Sequence, residues 1–279
     1  ALVALRAGLV DLVKASITGS ILGNLLLILG LAFLAGGLRS PILKFNRTGA
    51  GMAAAMLALA VAGLVFPALF HGLHPGTETA RLALTELRLS EAVAIILALT
   101  YGASLLFSLR THRALFGGVA SDTAPSASWS VFKAVAVLGL ATAGVVVESE
   151  LLVHSIEPVT ATLGLSQTFL GLILVPIIGN AAEHATAVTV ARKGKIDLSL
   201  QIALGSSTQI ALLVAPLLVL AGVLMGQPLS LLFTSLEFVA LGLSTVVISI
   251  ITLDGESHWF EGVQLLALYG MVVAAAFFL

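Results

Sequence analysis

The sequence predicts an all-α, polytopic membrane protein made of inverted five-helix repeats, the first of which is truncated at its N-terminus. The composition, the length of the apolar runs and an internal repeat lead to this prediction. Of the 279 residues, 59% are hydrophobic and only 10% are charged, whereas soluble domains carry about 25% charged residues. Runs such as 12–38 and 205–226 are long enough to cross a bilayer as a helix, which takes about 20 apolar residues.

Eight membrane spans are predicted, together with the tail of a ninth at residues 1–7. The spans are 12–36, 51–70, 88–109, 131–153, 166–191, 197–224, 229–252 and 259–279. A polar linker rich in Ser, Ala and Gly interrupts them. We therefore divide the chain into a truncated first transmembrane repeat (1–109), a cytoplasmic linker (110–130) and a second transmembrane repeat (131–279).

The distribution of Lys and Arg predicts the orientation. Basic residues are concentrated in the loops near Arg39, Arg110 and Arg192. Cytoplasmic loops carry such an excess, so the C-terminus is expected on the non-cytoplasmic side. The Ala- and Gly-rich, Cys-free chain with short loops favours a bacterial inner membrane. A net charge of −1 gives no indication of a nucleic-acid partner, so the lipid bilayer is the expected environment.

The internal repeat appears at an offset of 186 positions, where residues 1–12 (ALVALRAGLVDL) align with residues 187–198 (AVTVARKGKIDL). Further along the chain, Gly19-Ser20 aligns with Gly205-Ser206. Equivalent helices lie five helices apart, an odd number, so the copies are inverted in the membrane. Inverted repeats are typical of secondary transporters, whose site lies at the bilayer midplane.

The segment VPIIGNAAEHATA places polar residues in the middle of a predicted span. Pro176 removes a backbone donor, and Gly179 loosens the helix further. The spacing of Asn180, Glu183 and His184 predicts that they share one helix face. A charge at the centre of a membrane helix costs about 3 kcal/mol or more, so such residues are functional by default.

The chemistry of this segment suits a hard cation. A carboxylate and free backbone carbonyls are oxygen ligands of the kind that Ca²⁺ prefers. Burial favours the protonated carboxyl group and a bound cation favours the ionised one. Cation and proton would then compete for Glu183, which is the basis of antiport. The alternative is a protonated Glu183 that hydrogen-bonds to a neighbouring helix.

Further polar residues lie in two spans that the repeat aligns, 197–224 in the second half and 12–36 in the first half. Neutral oxygen ligands are predicted at Ser206, Ser207 and Gln209, and at the first-half positions Ser20 and Asn24. The alternative role is hydrogen bonding between helices, worth about 0.6 kcal/mol for each bond. Candidate pathway residues are His184, Glu148 and Glu150 at the outer end of span 131–153, and Glu237 within span 229–252.

The motifs of the common enzyme classes are missing from the sequence. Glu183-His184 is not part of an HExxH zinc motif, and no Gly-rich phosphate loop follows a strand. We therefore predict that the protein is not an enzyme and needs no cofactor. Its partners would be the transported ions themselves.

Several segments resemble the Ca²⁺/H⁺ exchanger (CAX) family of the cation/Ca²⁺ exchanger superfamily. They are KASITGSILGNLLLILGLAFLAGG (14–37), SELLVHSIEP (149–158), GNAAEHATAV (179–188), KIDLSLQIALGSSTQIALLVAPLLVL (195–220) and DGESHWFEGVQLLALY (254–269). The resemblance covers essentially the whole chain. It implies a fold of one N-terminal helix and two inverted five-helix repeats, and Ca²⁺ transport driven by inward proton flow.

The resemblance also implies roles for individual residues. Glu183 would bind the cation and the proton, with Asn180 and Gln209 nearby, while Ser20 and Asn24 match the family's GS-x-x-x-N pattern. His184 matches a family position, but imidazole suits transition metals better than Ca²⁺. The GNxxE motif of the first repeat is expected to precede Ala1.

Other functions remain open from the sequence. One carboxylate with several neutral oxygens also suits an antiporter for Mn²⁺ or Na⁺, or an exchanger driven by Na⁺. A passive cation channel and a non-transporting fragment or scaffold belong to different classes. Inverted repeats favour alternating access over a channel, which would more often show charged or carbonyl rings around an oligomer axis.

Overall fold

The structure is a computed structural model that describes residues 1–74, 80–112 and 129–278. Most of the predicted linker, at 113–128, lies outside the described residues. The helices are α1 (Leu2–Arg6), α2 (Val10–Gly37), α3 (Arg47–Gly72), α4 (Arg81–Thr111), α5 (Val131–Leu163), α6 (Gln167–Gly179), α7 (Ala181–Arg192), α8 (Ile196–Leu224), α9 (Ser235–Ile251) and α10 (Trp259–Phe277). Two short strands, β1 (Leu43–Lys44) and β2 (Glu256–Ser257), pair in antiparallel orientation.

The predicted all-α membrane fold is confirmed. Helices α2, α3, α4, α5, α8 and α10 are long and apolar enough to cross a bilayer, the bent pair α6–α7 forms one further span, and α9 is a shorter apolar helix. Each predicted span therefore has a helical counterpart in the described part of the chain.

Helix α5 is longer than predicted, which changes the position of two pathway candidates. It continues past 153 to Leu163, and Gly164 ends it with φ of +65°. Glycine adopts this left-handed conformation readily, which makes it a common helix terminator. Glu148 and Glu150 therefore lie well inside α5, and both are exposed. Their predicted place at the outer end of a span was wrong.

Helix α9 begins later than predicted, at Ser235 instead of 229, because Thr234 caps it. The Thr234 side chain accepts a hydrogen bond from the backbone N–H of Glu237, and the Glu237 carboxylate accepts one from the backbone N–H of Thr234. This reciprocal capping fixes the first turn of a helix. Glu237 thus lies in the first turn of α9, close to the start of the predicted span.

The internal repeat is visible in the local backbone. Gly8 and Gly194, which the repeat aligns, have φ of +78° and +75°, and in both copies the next helix starts two residues later. A π-helical turn then follows at Gly23–Ile28 in α2 and at Ile210–Val214 in α8. Such turns are rare and often mark functional sites. Their recurrence at the same offset confirms the repeat.

The basic loops of the two halves meet at one end of the molecule. The Arg39 guanidinium donates a hydrogen bond to the backbone oxygen of Arg192 at 3.1 Å. Lys44 in β1 forms an ion pair of 3.1 Å with Glu256 in β2. These contacts join three loops, two of which carry the basic residues that the positive-inside rule assigns to the cytoplasm. We refer to this end of the molecule as the basic end.

Candidate functional site

The α6–α7 pair is broken at Asn180, where the two helices meet at 59°. Asn180 itself has φ of −104° and ψ of 12°, outside the helical values. The sequence attributed the break to Pro176 and Gly179 together. The break directly follows Gly179, whereas Pro176 lies at the start of a regular α-helical turn. The π turn at Leu170–Leu174 directly precedes that turn. A widened turn of this kind accommodates the absence of a backbone N–H at proline.

The break gives Glu183 a favourable electrostatic position. Helix α7 starts at Ala181, so Glu183 lies in its first turn. The unpaired N–H groups at a helix N-terminus carry a partial positive charge, which stabilises a carboxylate in that turn by about 0.3–1 kcal/mol. The N-terminus of α7 therefore stabilises the negative charge of Glu183 in this apolar segment.

Glu183 is exposed and borders an open cavity of about 570 Å³ between α7 and α8. The Ser206 hydroxyl donates a hydrogen bond to Glu183 Oε2 at 2.9 Å. Gln209 lines the same cavity. The structure thus brings together three of the residues that the sequence singled out, one charged and two neutral, all of which are oxygen donors to a cation.

A buried hydrogen bond fixes the register of α7 against α8. The Ser199 hydroxyl donates to the backbone oxygen of Ala187 at 3.0 Å. The two helices are joined by a short turn in which Gly194 has a positive φ. From this point α7 leads back toward Glu183 while α8 leads forward toward Ser206. The contact therefore sets which polar side chains face each other across the cavity.

Three further residues line the cavity and were missed by the sequence reasoning. They are Thr186, Gln201 and Tyr101. Thr186 follows Glu183 by three residues, and Gln201 precedes Gly205 by four. Helical spacing could therefore have found both of them. Tyr101 comes from α4, and no local pattern in the sequence links it to Glu183.

A second cavity, of about 240 Å³, continues from the first toward the basic end. Tyr101, Gln201 and Gly205 line both cavities. Asn46 and Asp197 lie along the second one, and the backbone N–H of Asn46 donates to the Asp197 carboxylate at 2.5 Å. The two cavities are therefore adjacent, and we refer to them together as the cavity route.

Several predicted site residues do not line the Glu183 cavity. Asn180 Nδ2, His184 Nε2 and Asn24 Nδ2 are buried, and none of the three has a hydrogen-bond partner in the described structure. Asn180 is the N-cap of α7, and its backbone oxygen accepts a hydrogen bond from the backbone N–H of His184 at 2.9 Å. Of the three residues predicted to share a face, only Glu183 lines the cavity. Buried polar atoms are normally paired. The two amide nitrogens can donate to water or to another acceptor, but they do not bind a cation.

The remaining polar residues of α2 and α8 have other surroundings. Ser207 is fully buried, and its hydroxyl donates to the backbone oxygen of Ala203 at 2.8 Å. This bond lies within one helix, so Ser207 neither reaches the cavity nor links two helices. Ser20 is half-buried on α2. The π turn of α2 that contains Asn24 packs against α7, which places the first-half polar residues beside the broken helix.

The site contains a single carboxylate. Among the described residues, no group of three or more His, Asp or Glu side chains could hold a metal ion. Glu148 and Glu150 lie on exposed α5, and Glu237 is only 2% exposed at the start of α9. A cation at Glu183 would therefore depend on neutral oxygens for most of its ligands.

A bundle of membrane helices with an internal repeat, a broken helix and polar groups in a cavity is the architecture of a secondary transporter. The chain matches the family described as sodium/calcium exchanger protein over residues 1–110 and 133–278. It belongs to this family, and the predicted resemblance is confirmed.

Curated relatives match almost the entire chain. The chain is 45% identical over 292 residues to a Ca(2+)/H(+) antiporter of Aphanothece halophytica, covering 100% of this chain and 77% of the relative. It is 40% identical over 282 residues to the Ca(2+)/H(+) antiporter ChaA of Bacillus subtilis, covering 100% and 78%. The vacuolar calcium ion transporter of Schizosaccharomyces pombe is 41% identical over 278 residues, covering 99% and 67%.

Solved structures share the fold. Native YfkE superposes with a TM-score of 0.82 and 38% identity, covering 99% of this chain and 78% of that structure. The H⁺/Ca²⁺ exchanger CAX superposes with a TM-score of 0.65 and 14% identity, covering 99% and 72%. At this low identity the second match supports the fold alone.

Proposed function

We propose that this protein exchanges Ca²⁺ for H⁺ across a membrane and that Glu183 is the carboxylate that binds either ion. The observation that carries the proposal is the position of Glu183 in a cavity, at a helix break, with a hydrogen bond from Ser206. The relatives named as Ca²⁺/H⁺ antiporters support the choice of ions.

Competition for one carboxylate accounts for the coupling. Ca²⁺ takes six to eight oxygen ligands, and Glu183, Ser206 and Gln209 offer such oxygens on one cavity wall. A bound cation requires the ionised carboxylate, so its arrival releases the proton. A proton arriving from the other side releases the cation in turn. Transport of Ca²⁺ in one direction is therefore coupled to transport of H⁺ in the other.

The proposed orientation rests on the distribution of Lys and Arg in the loops. We place the basic end in the cytoplasm and the C-terminus on the other side of a bacterial inner membrane. The cavity route then connects Glu183 to the cytoplasm in the described conformation. The labelling experiment on Lys14 described below also tests this orientation, because it is carried out separately from each face.

The experiment that tests the function is ⁴⁵Ca²⁺ uptake into membrane vesicles under an imposed pH gradient. We expect uptake to require the pH gradient and to stop when an ionophore collapses it. Because the family description includes sodium, a Na⁺ gradient and Mn²⁺ competition are tested in parallel. Uptake that follows only the Na⁺ gradient would show that Na⁺, not H⁺, drives the exchange. Uptake under neither gradient would favour a non-transporting scaffold.

Two neighbouring serines provide a matched test of the site. Ser206→Ala removes the hydroxyl that contacts Glu183, whereas Ser207→Ala removes one that contacts only its own helix. A hydrogen bond to a charged group contributes about 1.5–3 kcal/mol. We therefore expect Ser206→Ala to raise the Ca²⁺ concentration for half-maximal uptake by roughly 10- to 100-fold.

Ser207→Ala is expected to leave that concentration nearly unchanged. Ser206→Ala and Ser207→Ala each remove one hydroxyl, from adjacent positions of α8. Comparing the two variants therefore controls for a general effect of the substitution on expression. Equal effects of the two substitutions on Ca²⁺ dependence would contradict the role given to Ser206.

A further inference from the structure

The segment between α8 and α9, residues 225–234, is packed into the protein. Leu229 and Leu231 are fully buried, and Phe233 is 7% exposed. Alternate residues of this stretch, which forms neither helix nor strand, thus face the core. The segment follows the end of α8 that lies away from the basic end. It therefore covers the bundle on the side that we assign as non-cytoplasmic.

Two helices of the first half hold this segment in place. The Lys14 ammonium of α2 donates to Ser230 Oγ at 3.1 Å and to the backbone oxygen of Leu232 at 3.0 Å. The backbone N–H of Leu231 donates to the Ser90 hydroxyl of α4 at 3.0 Å. Three successive residues of the segment are thus bound by side chains from the other repeat.

Lys14 is an unusual residue for this position. It lies within a helix that is apolar enough to span the membrane, where an ammonium group is costly unless it is paired. The carboxylates that attract it are those of Asp11, on its own helix, and Glu237, on α9. Its hydrogen bonds to the segment, however, go to two neutral oxygens, one from a hydroxyl and one from the backbone.

Glu237 offers an alternative partner for this ammonium. Its Oε2 atom accepts hydrogen bonds of 2.8 Å from both the backbone N–H and the hydroxyl of Thr234. Its Oε1 atom is buried and has no hydrogen-bond partner in the described structure. An unpaired carboxylate oxygen at 2% exposure is a costly arrangement. The cost is removed when a cation or a hydrogen-bond donor moves to the Oε1 atom.

We propose that Lys14 is a latch that closes the non-cytoplasmic entrance to the Glu183 site by holding segment 225–234 against α2. The latch opens when the Lys14 ammonium leaves Ser230 and Leu232 and pairs with Glu237 Oε1. Lys14 is a positioning residue, since it acts through the segment and does not contact the transported ion. The proposal rests on the proposed alternating access to Glu183.

The dimensions fit this role. Lys14 and Asn24 are ten residues apart on α2, which corresponds to about 15 Å along a helix. Half of the hydrocarbon thickness of a bilayer is also about 15 Å. A latch at Lys14 would therefore lie near one membrane surface while Asn24 lies near the midplane. Alternating access requires that side to be closed while the cavity route leads to the basic end.

A cysteine-labelling experiment tests the latch, because the chain contains no Cys. Thr18 follows Lys14 by one turn and is fully buried, so Thr18→Cys reports on access beneath the segment. A membrane-impermeant maleimide is added to the non-cytoplasmic face of intact cells or vesicles. We expect slow labelling of Thr18→Cys alone and labelling at least about tenfold faster when Lys14→Met is added, since a bond to a charged group shifts an equilibrium by this factor or more.

Two variants distinguish a latch from general loosening. Lys14→Arg retains the cationic donor and should keep labelling slow. Lys44→Met removes a lysine from an exposed ion pair at the basic end and should also leave labelling slow. Unchanged labelling in Lys14→Met, or an equal increase from both faces of the membrane, would overturn the latch.

The labelling result is separate from the proposed ion exchange, because it needs no transported ion. Suppose that Lys14→Met speeds the labelling of Thr18→Cys, but that the protein with Lys14 shows no Ca²⁺ uptake. This result would support the latch and overturn the proposed function. Glu237→Gln adds a further arm. It removes the negative charge that attracts the ammonium and leaves only a neutral amide oxygen, so we expect the Thr18→Cys reporter to label more slowly during turnover than in the protein with Glu237. Labelling at the same rate would overturn the proposed movement of Lys14 to Glu237.

Discussion

Glu183→Gln is expected to reduce Ca²⁺ uptake by about 100-fold or more, which corresponds to roughly 3 kcal/mol of lost interaction with a charged group. Glutamine has nearly the same shape and still accepts the hydrogen bond from Ser206, so the fold should be preserved. It cannot carry the negative charge or exchange a proton, and both halves of the proposed cycle fail together. Uptake of ⁴⁵Ca²⁺ under a pH gradient measures the effect.

The control for this prediction is Glu256→Gln, which removes a carboxylate from the exposed ion pair with Lys44. Exposed pairs of this kind contribute about 0–1 kcal/mol, so uptake should remain near the unsubstituted level. Ca²⁺ should also raise the unfolding temperature of the unsubstituted protein, since a ligand that binds the native state stabilises it. Glu183→Gln with full uptake, or with an undiminished stabilisation by Ca²⁺, would exclude Glu183 as the binding group.

The parts of the site that the sequence predicted correctly are those on consecutive helices. Glu183 and Ser206 are separated by one short turn at Gly194, so a polar residue late in one span and another early in the next must lie near each other. The repeat added independent information, because Gly8 and Gly194 share both a position in the alignment and a positive φ. Local patterns and repetition are visible in a sequence without knowledge of tertiary contacts.

The parts that were missed depend on contacts between distant segments. Tyr101 reaches the cavity from α4, and only the packed bundle places it there. The hydropathy of residues 229–234 predicts a helix, yet Lys14 and Ser90 bind this stretch in a non-helical conformation and Thr234 delays the start of α9. Hydropathy reports burial, which is correct for this stretch, but it does not distinguish a buried helix from a buried non-helical segment.

The location of the helix break is a further tertiary effect. The sequence attributed it to Pro176 and Gly179 together, and the structure places it at Asn180, directly after Gly179. Helix α2 lies directly against the stretch before the break, where Gly19 faces Leu172 and Pro176. The proline-containing turn is thus in contact with α2, whereas the bend lies beyond that contact, at Asn180. The position of Glu183 in the first turn of α7 therefore depends on how closely α2 can approach.

Among the described glycines, Gly19 is accordingly expected to be the one whose replacement by alanine is most destabilising. A Cβ atom at Gly19 would lie 2.1 Å from the backbone oxygen of Leu172 and 2.6 Å from Pro176 Cγ. Overpacking in a tight interior costs about 1–3 kcal/mol and occasionally more. Because the nearest atom belongs to the backbone, α6 itself must move, and the break at Asn180 moves with it. We expect a lower unfolding temperature in detergent together with a loss of uptake.

Gly23→Ala is the matched control, one turn further along the same helix. A Cβ atom there meets nothing within 4 Å, and alanine is favoured over glycine in a helix by about 1 kcal/mol. Its unfolding temperature should therefore remain the same or rise. The contrast between the two substitutions isolates the contact of α2 with α6 from the general effect of replacing glycine in a membrane helix. Equal unfolding temperatures for Gly19→Ala and Gly23→Ala would contradict the close approach that sets the position of the break.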